Sequence, residues 1–427
     1  MSATVIALLG ILVLFILMML RMPISFAMFL VGFIGLVVVA SPEAAFKVTT
    51  TDLWSQFSDY SLSVIPMYIL MGEVVFRAGI TDKLFHAAYK WVGQLKGGMA
   101  WTIILASAGF GSICGSNSAT AAMIGTMAIP EMKKYKYDDA LSTGSIAGGG
   151  TLGIIIPPST VLLVIALQME LSIRDLFIAS IVPSILLVGL FLLTVWVLCQ
   201  RNPELGPAGP KSTMMEKMKV IPGVFPTLAL LVFVIGGLFM GWFTATESGA
   251  IGTFGALVYA VILKKLTWEN FKKAVFDTLR ASAMVVMLVA SALVFGRFLT
   301  ITRLPFEVAD WVSSLPLHPF FIMLGIYLVF VVGGAIMDAL GFLIISIPIF
   351  FPTALSLGFD PVWFAIMLCI ITSLGAITPP IGINVFVVKG LAPSVPITTI
   401  FRGAGYFLFA YMICILLLTI FPALVYY

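Results

Sequence analysis

The residues Leu152-Gly153-Ile154-Ile155-Ile156-Pro157-Pro158-Ser159 recur as Leu374-Gly375-Ala376-Ile377-Thr378-Pro379-Pro380-Ile381, 222 positions further along the chain. Each copy lies inside a long apolar segment, where two adjacent prolines remove backbone hydrogen bonds and interrupt a helix. In lipid, such a break is stable only where protein or a water-filled cavity satisfies the released carbonyl groups. Two matched breaks in one chain are typical of transporters whose binding site lies between repeated halves.

The composition places this protein among those that cross a membrane many times. Hydrophobic residues make up 61% of the chain and charged residues only 10%. Most apolar runs are about 20 residues long, which is the length that a helix needs to cross the hydrocarbon core. We therefore predict an all-α polytopic membrane protein in contact with the lipid bilayer. The net charge of +4 is scattered over the loops, so it does not indicate nucleic-acid binding.

The repeat divides the chain into two halves. We predict a first repeat over residues 1–200, a cytoplasmic linker over 201–221 and a second repeat over 222–427. Each half is predicted to contain five spanning helices and one re-entrant hairpin, with one spanning helix broken at the midplane. The predicted spans are 4–20, 23–40, 62–77, 140–168 (broken), 176–199, 222–241, 247–263, 281–298, 361–388 (broken) and 403–425. The predicted hairpins cover about 98–130 and about 318–352.

The charge pattern indicates that the second half is inverted in the membrane. Residues 82–166 contain six lysines, whereas the corresponding residues 304–388 contain no lysine or arginine. Because basic residues prefer the cytoplasmic side, the first hairpin is predicted to open from the cytoplasm and the second from the periplasm. An odd number of crossings in each half gives the same inversion and places both termini in the periplasm. A parallel duplication is the alternative, but it would put residues 304–388 inside without positive charge.

Hairpin tips and broken helices together offer many oxygen atoms near the midplane. Small hard cations prefer oxygen ligands, and the helix ends at a tip favour charged ligands. The oxygens in the first half belong to the side chains of Ser112, Ser116, Asn117, Ser118 and Thr120 and to the carbonyls of residues 153–156. Those in the second half belong to Asp338, Thr372, Ser373 and Thr378 and to the carbonyls of residues 375–378. Capping of the helix ends is the structural alternative, and it is compatible with ion binding.

Two charges stand out within the apolar regions. Asp338 is the only carboxylate between Asp310 and Asp360. A carboxylate near the bilayer centre costs about 2.5–3.5 kcal/mol on insertion scales, so we predict a functional role in which a sodium ion neutralises it. The alternative is a carboxylate that caps a half-helix in a water-filled vestibule. Arg297 either reaches the outer interface or faces the cavity, where its guanidinium can bind a substrate carboxylate through two hydrogen bonds.

The chain resembles the large membrane subunit of the tripartite ATP-independent periplasmic (TRAP) transporters, of the C4-dicarboxylate and sialic acid type. The motifs that carry the resemblance are Arg77-Ala78-Gly79-Ile80-Thr81, Gly115-Ser116-Asn117-Ser118-Ala119-Thr120, residues 153–158, Thr244-Ala245-Thr246-Glu247 and Thr378-Pro379-Pro380. The resemblance implies an ion-transporter fold of elevator type and sodium-driven uptake of a small organic acid. It also implies a small four-helix membrane subunit, a periplasmic substrate-binding protein and a location in the bacterial inner membrane.

The oxygen pattern and the resemblance together give the predicted site. Sodium ions are the only predicted cofactor. The predicted sodium ligands are Ser116, Asn117, Gly153, Pro157, Asp338, Thr378 and Pro379. The predicted substrate contacts are Arg297, Ser118 and Thr120. Neither a catalytic residue nor a transition-metal site is predicted, because the four cysteines and two histidines are isolated in the sequence.

Three other functions are compatible with parts of this pattern. A stand-alone divalent-anion/sodium symporter has similar paired hairpins but works without a binding protein. A membrane-embedded enzyme would need a catalytic dyad that faces one cavity. An ion channel is disfavoured because the hairpins are predicted to open from opposite sides.

Overall fold

The computed structural model describes residues 2–425, residue 313 by its backbone only, and this range contains nineteen α-helices and three short 3-10 helices. Residues 1, 426 and 427, at the ends of the two predicted repeats, lie outside the described residues. The helices of the first half are α1 (Ala3–Met19), α2 (Ile24–Val39), α3 (Pro42–Phe57), α4 (Val64–Arg77), α5 (Ile80–Val92), α6 (Gly98–Cys114), α7 (Asn117–Lys134), α8 (Asp139–Ile155), α9 (Thr160–Gln168) and α10 (Ile173–Arg201). The helices of the second half are α11 (Met214–Phe239), α12 (Ala245–Ile262), α13 (Trp268–Ile301), α14 (Leu304–Ser314), α15 (Pro319–Ile336), α16 (Ala339–Ser356), α17 (Pro361–Gly375), α18 (Ile383–Leu391) and α19 (Ile397–Ile420). The 3-10 helices are Tyr60–Ser63, Pro203–Leu205 and Pro422–Val425.

The helix boundaries repeat at the spacing found in the sequence. The helix–tip–helix hairpins are α6–α7 and α15–α16, and the broken segments are α8–α9 and α17–α18. The axes of α8 and α9 differ in direction by 42° across the first break. Both proline pairs contain a cis peptide bond. Each segment predicted as a hairpin is therefore two helices joined by a short tip, and each proline pair lies between two helices.

The helices α3 and α11 differ from the predicted segments. The sequence prediction missed α3, because Glu43, Lys47 and Asp52 make it too polar to be read as a span. The helix α11 begins inside the predicted linker, where the Thr213 hydroxyl accepts a hydrogen bond from the N–H of Glu216 and caps the first turn. Only residues 202–213 therefore connect the two halves outside the long helices.

Length and composition do not settle the predicted number of crossings. Between residues 2 and 425, eight helices are long and apolar enough to cross a membrane, or nine if the bent pair α8–α9 counts as one span. Both hairpin helices of the second half belong to these eight, whereas α1 and α2 are too short. The count of ten crossings and the inverted orientation of the halves stay predictions.

The helices pack in two groups, and each group combines elements of both halves. We call α1–α5 with α11–α14 the framework group, in which α2 packs on α13 and α4 packs on α12. We call α6–α10 with α15–α19 the hairpin group, in which α8 packs on α6, α7 and α19, and α17 packs on α15. The repeats of the sequence are therefore not the packing units of the fold.

The two hairpins meet the framework group in different ways. The first hairpin packs its first helix, α6, against α4 and α5. The second hairpin packs its second helix, α16, against α13 and α14. The two hairpins therefore contact the framework group through non-equivalent helices, although the hairpins themselves are equivalent segments of the repeat.

Close backbone contact between helices requires glycine in the hairpin group. A Cβ atom added at Gly403 on α19 would lie 1.8 Å from the carbonyl oxygen of Ala140 on α8, and one added at Gly144 would lie 2.2 Å from the carbonyl carbon of Gly403. Small residues allow membrane helices to approach in this way and to gain dispersion contacts. The broken helix α8 is thereby held tightly against the last helix of the chain.

Residues 202–213, which connect the halves, are held by hydrogen bonds at the base of the first hairpin. The N–H of Gly97 donates to the Gly206 carbonyl at 2.8 Å, and the N–H of Gly209 donates to the Gly93 carbonyl at 2.9 Å. The Tyr137 hydroxyl donates to the Pro207 carbonyl at 2.8 Å. Burial raises the pKa of Tyr137 to about 12, so its hydroxyl keeps the proton that it donates. These three hydrogen bonds therefore hold residues 202–213, the connecting segment, beside the turn between α5 and α6.

Candidate functional site

The tip of the first hairpin is a tight turn whose polar atoms mostly bond to each other. Gly115 adopts φ +64°, a left-handed conformation that glycine takes without strain, and it ends α6. Ser116 caps α7, and its carbonyl accepts a hydrogen bond from the Thr120 hydroxyl at 2.6 Å. The side-chain oxygen of Asn117 accepts from the N–H of Ser118 at 2.8 Å. Within the described residues Asn117 Nδ2 has no partner, although the side chain is only 3% exposed.

The first break lies directly against this tip. A Cβ atom at Gly153 would lie 2.6 Å from the Ser116 carbonyl oxygen and 2.7 Å from the Thr120 hydroxyl oxygen, so only glycine fits there. Beyond the prolines, the Thr160 hydroxyl donates to the Gly115 carbonyl at 2.8 Å. The structure therefore brings the predicted residues Ser116, Asn117 and Gly153 into one place, together with the carbonyls that the break releases.

The second tip and break are joined by an equivalent contact. The N–H of Gly382, at φ +61° just beyond the second proline pair, donates to the Ala335 carbonyl at 2.9 Å. Asp338 caps α16 by accepting the N–H of Leu340 at 3.2 Å. The Thr378 hydroxyl donates to the Leu374 carbonyl at 2.7 Å, within its own segment. The two segments that carry Asp338, Thr378 and Pro379 therefore lie together, although no hydrogen bond links Asp338 to Thr378 within residues 2–425.

The two pairs of tip and break differ in exposure. Asn117, Gly153 and Pro157 are buried, whereas Asp338 and Pro379 are exposed and Thr378 is half-buried. Asp338 is therefore not sealed inside the protein. Its carboxylate caps α16, and since capping is compatible with ion binding, the sodium role of Asp338 stays a prediction.

The structure gives Arg297 a protein partner in the framework group. Its Nε and Nη2 atoms each donate to one carboxylate oxygen of Asp52 on α3, both at 3.0 Å. The predicted substrate contacts Ser118 and Thr120 belong instead to the first hairpin tip, where Thr120 is buried and Ser118 is half-buried. Substrate binding by Arg297 stays a prediction, and it would require the guanidinium to leave Asp52.

Sequence reasoning missed two residues that the structure places in important positions. Asp52 lies in the helix that the hydropathy pattern failed to reveal. Asn384 lies in the first turn of α18 beside the second break, is fully buried, and donates through Nδ2 to the Ala147 carbonyl at 3.1 Å. The signal for Asn384 was available, because the chain has only four asparagines and this one lies four residues after a proline pair.

One sizeable cavity lies away from the predicted residues. Its volume is about 450 Å³, and it is found at the base of the second hairpin, between the start of α15 and the end of α16. Its lining includes His318, Asp360, Trp363 and Thr419, none of which is a predicted site residue.

The chain is similar to known proteins along nearly its whole length. Residues 11–424 match the family described as "Tripartite ATP-independent periplasmic transporter, DctM component". The C4-dicarboxylate TRAP transporter large permease protein DctM of Pseudomonas aeruginosa is 32% identical over 388 residues, which are 91% of this chain and 90% of that protein. The sialic acid TRAP transporter large permease protein SiaM of Vibrio cholerae is 29% identical over 402 residues, which are 94% of this chain and 93% of that protein.

The solved structures show a similar fold at low sequence identity. The YdaH transporter of Alcanivorax borkumensis superposes with a TM-score of 0.65 over 89% of both chains, at 16% identity. The family match over nearly the whole chain and the identity to curated large permeases are decisive. This chain belongs to the DctM family, the large membrane subunits of the TRAP transporters.

Proposed function

We propose that this chain is the permease through which a sodium gradient drives the uptake of a small organic acid of the C4-dicarboxylate or sialic acid class. The observation that carries the proposal is the contact of each hairpin tip with a broken helix, through Thr160 and Gly115 in the first half and Gly382 and Ala335 in the second. Each contact gathers helix ends and released carbonyls, which are the ligands that transporters use for ions at the midplane. The names of the related permeases support the class of substrate.

The two regions where a hairpin tip contacts a broken helix are the proposed sodium sites. The first is built from Ser116, Asn117, Gly153 and Pro157, and the second from Asp338, Thr378 and Pro379. A carboxylate in only one of them means that the two sites would bind sodium with different affinities and pH dependences. The substrate is proposed to lie between the tips and to contact Ser118 and Thr120.

We propose that transport moves the hairpin group as a body against the framework group. The division of the packing into these two groups supports such an elevator movement, and so does the unequal packing of the two hairpins. In a repeat protein, exchange of the two packing arrangements gives the opposite-facing state. In that state α7 would pack on the framework in place of α6, and α15 in place of α16.

The proposed assembly includes two partners. A small four-helix membrane subunit would bind the framework group, and a periplasmic binding protein would deliver the acid. The proposed location is the bacterial inner membrane, with both termini in the periplasm. The multi-pass helical fold and the tripartite family description support this arrangement.

Reconstitution into liposomes tests the proposal. Uptake of a radiolabelled C4-dicarboxylate or sialic acid is measured with an inward sodium gradient, with and without the small subunit and the binding protein. We expect uptake only when all three proteins and the sodium gradient are present. Rapid sodium-driven uptake by this chain alone would favour the stand-alone divalent-anion/sodium symporter. Uptake that is unaffected by replacing sodium with potassium would overturn sodium coupling.

A further inference from the structure

Three hydrogen bonds from the second half reach one face of α8, the helix that leads into the first break. The acceptors lie at positions 147, 151 and 154, a spacing that places them on the same side of a helix. The bonds run from Asn384 Nδ2 to the Ala147 carbonyl at 3.1 Å, from the Tyr411 hydroxyl to the Thr151 hydroxyl at 2.6 Å, and from the Cys369 thiol to the Ile154 carbonyl at 3.6 Å. We call these six residues the α8 seam.

The α8 seam is completely enclosed by the protein. Asn384, Tyr411 and Thr151 are each 0% exposed, and Cys369 is 1% exposed. Inside a protein, hydrogen bonds between polar groups fix the relative position of the elements that carry them, because breaking one leaves a buried group without a partner. The seam therefore fixes α8 relative to α17, α18 and α19.

Asn384 joins the second break to the middle of α8. Its side chain bonds to α8, whereas its backbone N–H donates to the Ala376 carbonyl at 3.0 Å across the second break. At the other end of the seam, Ile154 lies three residues before Pro157. The buried bonds of the seam therefore extend from the second break to the residues just before the first break.

We infer that the α8 seam couples the two proposed sodium sites, with Asn384 and Tyr411 as positioning residues. The inference rests on the proposed function. A cation that orders the carbonyls of one break also holds the end of α8, and through the seam it orders the carbonyls of the other break. The second cation then binds a site that is already ordered, so binding is cooperative. Without the seam, each break would be ordered separately by its own ion.

Two variants each remove one hydrogen bond of the seam without placing a new charge in the interior. Tyr411→Phe deletes one hydroxyl group. Asn384→Leu deletes the donor to Ala147 and also the side-chain oxygen, which has no partner among the described residues. The matched control is Tyr68→Phe, because the Tyr68 hydroxyl bonds to the Ser248 hydroxyl at 2.6 Å, is buried and also joins the two halves. That control bond joins α4 to α12 within the framework group and is not part of the seam.

The test is sodium binding to the purified full-length chain, followed by calorimetry and by sodium-dependent thermal stabilisation in a choline background. We expect a Hill coefficient approaching about 2 for the wild type and for Tyr68→Phe, since two sites are coupled. For Tyr411→Phe and Asn384→Leu we expect a Hill coefficient of about 1 or below, with separate strong and weak binding phases if the two affinities differ. Thermal unfolding without sodium verifies that each variant is folded.

The possible outcomes separate the inference from the proposed function. Sodium binding that is cooperative and unchanged in both seam variants overturns the inference alone. Equal loss of cooperativity in Tyr68→Phe also overturns it, because the effect would then follow from any buried bond between the halves. Non-cooperative sodium binding by the wild type overturns the coupling. Absence of sodium binding by the wild type overturns the proposed function together with the inference.

Discussion

The guanidinium of Arg297 on α13 is bound by the carboxylate of Asp52 on α3 through two hydrogen bonds of 3.0 Å. The relationship has a counterpart elsewhere, in which Arg77 on α4 bonds to Asp277 on α13. Arg77 and Arg297 are 220 positions apart, two fewer than the spacing of the proline pairs, so a two-residue difference in length makes them equivalent in the repeat. Each binds an aspartate of the other half. The two ion pairs therefore link the halves reciprocally within the framework group.

We expect the Arg297–Asp52 pair to stabilise the framework group by about 1 kcal/mol, because the geometry is bidentate but the arginine is partly exposed to solvent screening. A double-mutant cycle with Arg297→Ala and Asp52→Ala, followed by thermal unfolding in detergent, measures this coupling. The Arg77→Ala and Asp277→Ala cycle is the matched comparison. A coupling energy near zero, combined with a loss of substrate affinity in Arg297→Ala alone, would instead support the substrate role of Arg297.

Asp338 provides the sharpest test of the second sodium site. Asp338→Asn keeps a side chain that caps α16, because asparagine is as good an N-cap residue as aspartate, but it removes the charge. We expect sodium-dependent uptake to fall at least about tenfold, the effect of losing about 1.4 kcal/mol of cation binding. Thermal stability without sodium should stay close to the wild type. Uptake at the wild-type sodium dependence would leave Asp338 with a capping role only.

Two neighbouring glycines of α19 test the close contact with α8. A Cβ atom at Gly403 would lie 1.8 Å from the Ala140 carbonyl oxygen, whereas one at Gly405 meets no atom within 4 Å. We expect Gly403→Ala to separate the helices and to lower the yield of folded protein severely. Gly405→Ala should be neutral or slightly stabilising, because alanine is the better helix former. Size-exclusion profiles and unfolding temperatures distinguish the two, and equal behaviour would contradict the packing of α8 on α19.

The position of the connecting segment, residues 202–213, depends on Gly97, whose N–H donates to the Gly206 carbonyl. Gly97 has φ +74°, and a Cβ atom there would lie 2.7 Å from the sulfur of Cys199. Gly97→Ala is expected to destabilise the protein by about 1–2 kcal/mol from the left-handed backbone alone, with a further cost from the clash. Combining it with Cys199→Ala should relieve the contact with the sulfur, while the contact with Val195 Cγ1 at 2.9 Å and the backbone cost remain. If the double variant is no more stable than Gly97→Ala, the sulfur contact does not contribute.

The amino-acid sequence by itself determined where the helices break. Proline pairs cannot continue a helix, and glycine with small polar residues interrupts an apolar run, so both hairpins and both breaks could be predicted to within a few residues. The same local chemistry identified the residues of the first tip. The sequence missed α3 because hydropathy detects helices only when they are apolar, and it extended the linker into α11 because Pro222 and the lysines obscured the Thr213 cap.

Only the tertiary structure decided how these pieces combine. The repeat suggested two halves as units, but the packing mixes them into a framework group and a hairpin group. The tertiary structure also pairs Arg297 with Asp52, 245 residues apart in the sequence, and bonds Asn384 to Ala147, 237 residues apart. The physical reason is the range of the interactions. Helix breaks and caps depend on atoms a few residues apart, whereas ion pairs and buried hydrogen bonds between halves depend on which helix faces come together in the folded chain.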